Sequence, residues 1–259
     1  MNEAVTEWYF SLGWLITILV AFYLLKNLVL EFIGQALISI PIIGSLAMWI
    51  LALILLPGTV VHEISHFVAA TFLFVKVNKI NFWPQKTDKG VALGHILPAK
   101  KPDPFRDALI GVAPLIGGSA VLVIIVALGF RFPMPTYFLG APHLATELST
   151  LRTHIDLHSA RDLVVLWLLF SIGNTLFPSK ADTRAWLLVG VLVAALAGAL
   201  WYFTRIGPSD LLARLPLSLL EAVNMAIFAL TLVLILDLIL VMPLFIIVWG
   251  LGALAGRRK

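Results

Sequence analysis

Long apolar stretches, separated by short polar segments, dominate the pattern of this chain. They cover residues 8–30, 36–56, 59–75, 105–130, 161–177, 183–203 and 217–251. A helix needs about 20 apolar residues to cross the hydrocarbon core of a bilayer. The pattern therefore predicts an all-α polytopic membrane protein with about six to seven transmembrane helices.

Three of these stretches bear on how the spans are counted and delimited. The stretch 59–75 is at the short limit, so the pattern leaves open whether it crosses the bilayer or only enters it. The stretch before it ends at Pro57 and Gly58, a pair typical of helix ends. The last stretch, 217–251, is long for one span, and we expect it to be tilted or broken near Pro243.

Residues 76–104 interrupt the apolar pattern. Residues 79–82 alternate between polar and apolar, residues 87–90 form a turn signal, and residues 91–97 are a second short apolar run. Two short runs around a turn predict a small β-hairpin at the membrane interface, between the 59–75 helix and the next span. An irregular basic loop is the alternative.

Composition agrees with the membrane prediction and limits the chemistry. The chain is 61% hydrophobic and 12% charged, with a mean hydropathy of +1.02. The acidic N-terminus lacks the basic start of a signal peptide, so we expect the first stretch to be retained as an anchor. There is no cysteine, so any metal must be held by His, Asp or Glu. The net charge of +4 requires no nucleic-acid partner, because basic loops are expected on the cytosolic side of a membrane.

The positions of the basic residues predict an orientation. Most Lys and Arg lie in the hairpin segment, near Lys180 and Arg184, and at the C-terminal residues 257–259. Placing all three in the cytosol satisfies the positive-inside rule. It gives a multi-pass protein with its N-terminus outside and its C-terminus in the cytosol, and we expect the plasma membrane as its location.

The apolar stretch 59–75 contains the candidate chemistry. His62 and His66 are four residues apart, so on a helix they lie on one face and can offer two imidazole nitrogens to one ion. Glu63 lies beside that face, where it can act on a metal-activated water. This HExxH pattern is typical of zinc sites with a glutamate general base. Ionisable residues inside a membrane are costly, which favours a functional interpretation.

A catalytic zinc usually has three protein ligands, so a third is needed. Asp182 is the favoured candidate, because it follows a helix end and Pro178, where irregular backbone can line a cavity within the membrane. Glu221, Asp237 and His95 are the alternatives. Zinc is the expected metal, although iron(II) and cobalt accept similar ligands.

These residues together resemble a known family. The HExxH helix, followed by Asn174, Pro178 and Asp182, is similar to the site-2 protease family of intramembrane zinc proteases. That family pairs HExxH with an Asn-x-x-Pro…Asp-Gly segment that supplies the third zinc ligand. Here the proline stands one position late, and Thr183 takes the place of the glycine. Residues 111–118 resemble the family's Gly-Pro segment but lack its Asn, and the likeness covers residues 57–205.

The resemblance implies a mechanism. His62, His66 and Asp182 would hold Zn²⁺, and Glu63 would be the general base. Asn174 would donate a hydrogen bond to the substrate or to the developing oxyanion, although Asn also commonly caps helix ends. The edge of the hairpin would hold an unwound substrate segment by strand addition. The implied activity is that of a zinc metalloendopeptidase that cuts membrane-spanning or membrane-associated proteins.

The same resemblance suggests how the chain is divided. Residues 1–56 form an N-terminal transmembrane helix pair, residues 57–206 a metalloprotease-like core, and residues 207–259 a C-terminal transmembrane segment. The expected partners are a membrane protein substrate and the lipid bilayer. Small residues Gly252 and Gly256 suit helix packing, which leaves a homo-oligomer or a larger membrane complex open.

Two other functions compete with this one. A zinc protease of another membrane class would use Glu221 as its third ligand. A catalytically silent metalloprotease-like subunit would act as a scaffold in a larger complex, but it would not need the intact Glu63. A second histidine pair, His154 and His158 around Asp156, has the same spacing and could hold a metal, but an exposed interfacial loop is the favoured interpretation.

Overall fold

The structure is a computed structural model of the 259-residue chain. It describes residues 3–25, 43–83, 85–87, 90–92, 95–98, 102–130, 149, 152–153, 155–177 and 186–256. Within these residues the chain is mostly helical, as the hydrophobic pattern predicts.

Eight helices and four strands make up the described residues. The helices are α1 (Glu3–Leu25), α2 (Ile43–Ile54), α3 (Leu56–Phe72), α4 (Pro104–Gly129), α5 (Ala160–Thr175), α6 (Trp186–Thr204), α7 (Pro208–Ala213) and α8 (Leu217–Gly256). The strands are β1 (Val77–Asn81), β2 (Gln85–Thr87), β3 (Gly90–Ala92) and β4 (His95–Pro98). The short α7 was not predicted.

Three of the described helices are long and apolar enough to cross a membrane. They are Val5–Leu25, Pro104–Gly129 and Leu217–Leu240. This agrees with a helical membrane protein, but it does not reach the predicted count of six to seven spans. The difference lies partly in α2 and α3, which have 12 and 17 described residues and are separated by Leu55 alone. As described, each is shorter than the about 20 residues that a helix needs to span a bilayer, so neither is among the three.

The break between α2 and α3 is stabilised by α5. Trp167 Nε1 donates to the carbonyl of Ile54 at 3.0 Å, at the end of α2. Gly58 N donates to Ser171 Oγ at 2.9 Å, in the first turn of α3. Backbone groups at helix ends lack partners within their own helix, and in an apolar surrounding such groups are costly. Trp167 and Ser171 are four residues apart, so one face of α5 satisfies both ends.

The predicted hairpin is present as two nested pairs of antiparallel strands. β1 pairs with β4, where Ile80 lies opposite Ile96, and β2 pairs with β3, where Lys86 lies opposite Val91. The chain therefore leaves α3, forms the hairpin and returns to α4. Asp103 caps the start of α4, because its carboxylate accepts hydrogen bonds from the backbone of Phe105 and Arg106.

The hydrophobic core lies between α1, α4, α5 and α8. Its most deeply buried side chains include Leu122 of α4, Leu169 of α5 and Phe228 of α8. The core therefore draws on all three segments that the sequence suggested. The helix α8 continues through Pro243 without the break that was one of the two expectations for this stretch.

Candidate metal centre

The helix α3 presents the HExxH residues to its two closest neighbours, α4 and α5. Its packing against α5 is tight at Gly58, where an added Cβ would meet the backbone oxygen of Ser171 and the hydroxyl of Thr175. Its packing against α4 is tight at Gly117, where an added Cβ would meet Ser65 Oγ. Small residues therefore allow the three backbones to approach closely.

Both histidines are oriented by main-chain carbonyls of these neighbours. His62 Nδ1 lies 2.6 Å from the oxygen of Thr175, the last residue of α5. His66 Nδ1 lies 2.8 Å from the oxygen of Ile110 in α4. A carbonyl oxygen only accepts hydrogen bonds, so in both rings Nδ1 is the nitrogen that carries the proton. A metal-binding histidine is typically oriented in this way by its second nitrogen.

The two remaining nitrogens point at each other. His62 Nε2 and His66 Nε2 are 3.1 Å apart. Because the contacts with carbonyls place the proton of each ring on Nδ1, both Nε2 atoms can direct a lone pair to one ion. Two nitrogens on one tetrahedral zinc, each at the usual bond length, would be about 3.3 Å apart. The pair thus fits a shared cation, either a metal ion or a proton.

Glu63 follows His62 in the same turn of α3, at a buried position. Its side chain is 6% exposed, as is that of His66, while His62 is half-buried. Burial of an acid and two imidazoles in one turn of an apolar helix is costly unless the groups serve a site. Two imidazoles that can share one ion, with a buried glutamate in the same turn, are the residue types that the HExxH chemistry uses as two ligands and a general base.

The predicted third ligand, Asp182, lies outside the described residues, as does Pro178. The last described residue before it is Phe177, whose ring packs on Phe22. The prediction that Asp182 is the third ligand therefore stays a prediction.

The alternative third ligands do not join the histidine pair in the part of the chain that the structure describes. No group of three or more metal-ligating side chains occurs among the described residues. Glu221 lies at an exposed position of α8, and Asp237 is engaged by Asn174. His95 belongs to β4, opposite Asn81, and its side chain is not among those described.

The side-chain amide nitrogen of Asn174 is already fully hydrogen-bonded within the helix pair α5 and α8. Its Nδ2 donates to Asp237 Oδ1 at 2.7 Å and to the carbonyl of Phe170 at 2.9 Å. An amide nitrogen has two hydrogens, so both are already used. The predicted role as a donor to an oxyanion would require one of these bonds to open.

The second histidine pair is only partly described. His158 is exposed, and its Nδ1 lies 3.3 Å from Asp156 Oδ1 in the loop before α5. His154 lies outside the described residues. The exposure of His158 and Asp156 agrees with the interfacial loop that the sequence favoured.

The sequence analysis missed the two carbonyls that orient the histidines. Main-chain oxygens of Thr175 and Ile110 have no side-chain signature, so a motif search does not reveal them. Position within the helices is the available signal, because Thr175 ends α5 and Pro114 follows Ile110 by four residues. Both carbonyls thereby lack the usual donor of an α-helix.

Comparison with known proteins adds no further assignment. No protein-family model, curated protein or solved structure matches the chain. The likeness to the site-2 protease family therefore rests on the motif residues themselves.

Proposed function

We propose that the chain is an intramembrane zinc endopeptidase, similar in its chemistry to the site-2 protease family. The observation that carries this proposal is the histidine pair, with His62 Nε2 and His66 Nε2 3.1 Å apart and both Nδ1 atoms on backbone carbonyls. What supports a metal site is that the two carbonyl contacts turn both Nε2 atoms towards one point, as ligand-orienting hydrogen bonds do. The buried Glu63 in the same turn extends the site from metal binding to hydrolysis.

Each residue has a distinct task in this proposal. His62, His66 and Asp182 hold the metal, and zinc bound there supplies Lewis acidity, which activates water and polarises a peptide carbonyl. The carboxylate of Glu63 takes a proton from the attacking water and delivers it to the leaving amine. Asn174 keeps the end of α5 in place and could donate to the substrate only by giving up one present hydrogen bond.

The substrate is a membrane-spanning or membrane-associated protein. A substrate helix has to unwind before cleavage, because its backbone groups are otherwise satisfied internally. Among the described residues, β1 pairs only with β4 and has a second edge available for an extended segment. β1 follows α3 in the chain after only a short connection, so a strand added there lies near the metal-binding helix.

The proposal includes a multi-pass topology in the plasma membrane. In it, α6 and the stretches near α2 and α3 are also embedded in the bilayer, with the hairpin and the C-terminus on the cytosolic side. Support comes from the distribution of basic residues and from the apolar helix Gly190–Thr204, whose side chains are exposed on every face.

Metal content of the purified full-length protein is the first test. The wild type should bind about one zinc ion per chain in detergent, and His62→Ala and Asp182→Ala should each lose it. Glu63→Gln should keep the metal, because glutamine removes the base and leaves the three ligands intact. Cleavage of single-span reporter proteins, co-expressed in the same membrane, should be abolished by Glu63→Gln.

Three other results of these tests would count against parts of the proposal. Zinc retained by Asp182→Ala would move the third ligand elsewhere and weaken the family assignment. A folded wild type that binds no metal would contradict the proposal and favour the silent subunit, with the two imidazoles sharing a proton. Zinc binding with unchanged reporter cleavage in Glu63→Gln would contradict the assigned base.

A further inference from the structure

Helix α4 carries a proline in its interior at the level of the metal site. Pro114 is buried and lies well inside Pro104–Gly129. In an α-helix the N–H of residue 114 would donate to the carbonyl of residue 110. Proline has no N–H, so this bond cannot form, and its ring also pushes the carbonyl four residues earlier away from the helix axis. The oxygen of Ile110 is therefore available to a group outside its own helix.

The group that uses this oxygen is the ring of His66. His66 Nδ1 lies 2.8 Å from Ile110 O. The two helices are close enough for this contact, since Gly117 lies against Ser65 two turns further along α4. A carbonyl left without its helical donor in an apolar surrounding would be costly. The ring of His66 supplies the donor that Pro114 cannot, and the carbonyl supplies the acceptor for the ring.

We propose that Pro114 is a positioning residue of the metal centre. By withholding an amide hydrogen, it reserves the Ile110 carbonyl for the Nδ1–H of His66, and this bond makes Nε2 the ligating nitrogen. The inference rests on the proposed function, because the consequence of orienting His66 is metal affinity. Pro114 itself touches neither the metal nor the substrate.

His62 is oriented by a different kind of carbonyl, with the same result. The carbonyl of Thr175 lacks a helical donor because α5 ends at that residue. One histidine is thus oriented by a helix end and the other by a proline within a helix. The end of α5 and the proline of α4 act independently, so a change at Pro114 should leave the contact between His62 and Thr175 intact.

The test compares three variants of the full-length protein. Pro114→Ala and Pro114→Val both add the missing amide hydrogen, and valine also keeps about the same side-chain volume as proline. Pro243→Ala makes the same backbone change in α8 at an exposed position and serves as the control. Zinc affinity is measured by competition with a chelator, and the histidine tautomers are measured by ¹⁵N spectroscopy of the zinc-free protein.

We expect both Pro114 variants to bind zinc about 10- to 100-fold more weakly, the range known for groups that orient a ligand. The ¹⁵N signals of His66 should change from the Nδ1–H tautomer to a mixture, while Pro243→Ala behaves as wild type. Wild-type affinity in both Pro114 variants would overturn the inference, as would recovery in valine but not alanine, which would show that volume alone matters.

Two further results separate this inference from the proposed function. If the wild type binds no zinc, the proposed function fails, and the tautomer of His66 still tests the contact with Ile110. If both Pro114 variants fail to fold, the inference is tested by the ¹⁵N spectrum of the zinc-free wild type. An Nδ1–H tautomer at His66 supports the inference, and an Nε2–H tautomer overturns it.

Discussion

Asn174 and Asp237 join α5 to α8 through a hydrogen bond of 2.7 Å inside an apolar helix pair. Asp237 is 2% exposed and is surrounded in sequence by leucine and isoleucine. An acid at such a position requires a partner, and Asn174 provides it. The adjacent residue, Thr175, contacts His62, so this bond also fixes the part of α5 that orients the metal site.

Replacing Asn174 with alanine should destabilise the protein. The change leaves the carboxyl group of Asp237 without its donor, and we expect the free energy of unfolding to fall by about 2 to 3 kcal/mol. Thermal unfolding in detergent measures this loss. Asp237→Asn is the matched control, because its amide oxygen still accepts the bond, and we expect a much smaller effect.

The same variant tests the catalytic role that the resemblance implied for Asn174. If Asn174→Ala abolished reporter cleavage while unfolding at the wild-type temperature, the residue would act in the chemistry and not as a tie between helices. A loss of stability with a proportionate loss of cleavage is the result that the structure favours.

Enlarging Gly58 should disturb the metal centre through packing. In Gly58→Ala the new methyl group meets the backbone of Ser171 and the side chain of Thr175, so α3 and α5 must separate. We expect the free energy of unfolding to fall by about 1 to 3 kcal/mol. We expect zinc affinity to fall about ten-fold or more, because the carbonyl of Thr175 moves away from His62.

Gly190→Ala in α6 is the control for this change. Apart from its chain neighbours and the backbone of its own helix turn, no described atom lies within 4 Å of a Cβ added at Gly190. Its effect on the free energy of unfolding should stay within about 1 kcal/mol, with unchanged zinc affinity. Equal behaviour of the two glycine variants would show that the close approach at Gly58 does not position the site.

A buried polar pair should couple α1 to α8. Ser11 Oγ donates to Asn224 Oδ1 at 2.6 Å, and both side chains are completely buried. Asn224 Nδ2 makes no hydrogen bond within the described residues. Ser11→Ala should lower the free energy of unfolding by about 1 to 2 kcal/mol, since a buried amide oxygen is left without a donor.

The coupling is measured by a double-mutant cycle. Ser11→Ala leaves the amide oxygen of Asn224 without its donor, and Asn224→Leu removes that amide. The double variant should therefore be more stable than the sum of the two single changes predicts. Strict additivity would mean that the two side chains do not stabilise the helix pair through this bond.

The absence of cysteine makes the proposed topology easy to test. Lys79→Cys in β1 and Arg214→Cys after α7 each introduce the single thiol of the chain at an exposed position. A thiol reagent that does not cross membranes should label Arg214→Cys in intact cells and Lys79→Cys only in inside-out vesicles. Labelling of both from the same side would contradict the proposed arrangement.

The sequence by itself determined the helical class of the protein and the location of the candidate metal site. Apolar runs long enough for a bilayer predicted the helical architecture, and residues 79–97 predicted the hairpin that β1 and β4 form. The spacing of His62 and His66 placed two nitrogens on one helix face. These features depend on local periodicity and length, which the order of residues contains directly.

The tertiary structure decided how these pieces are joined. The partner of Asp237 is Asn174, 63 residues away, and the acceptors for the histidines are carbonyls of α4 and α5. The junction between α2 and α3 was also visible only in the structure, where Leu55 alone separates the two helices. A main-chain oxygen has the same chemistry at every residue, so only the packing of three helices selects which oxygens orient His62 and His66.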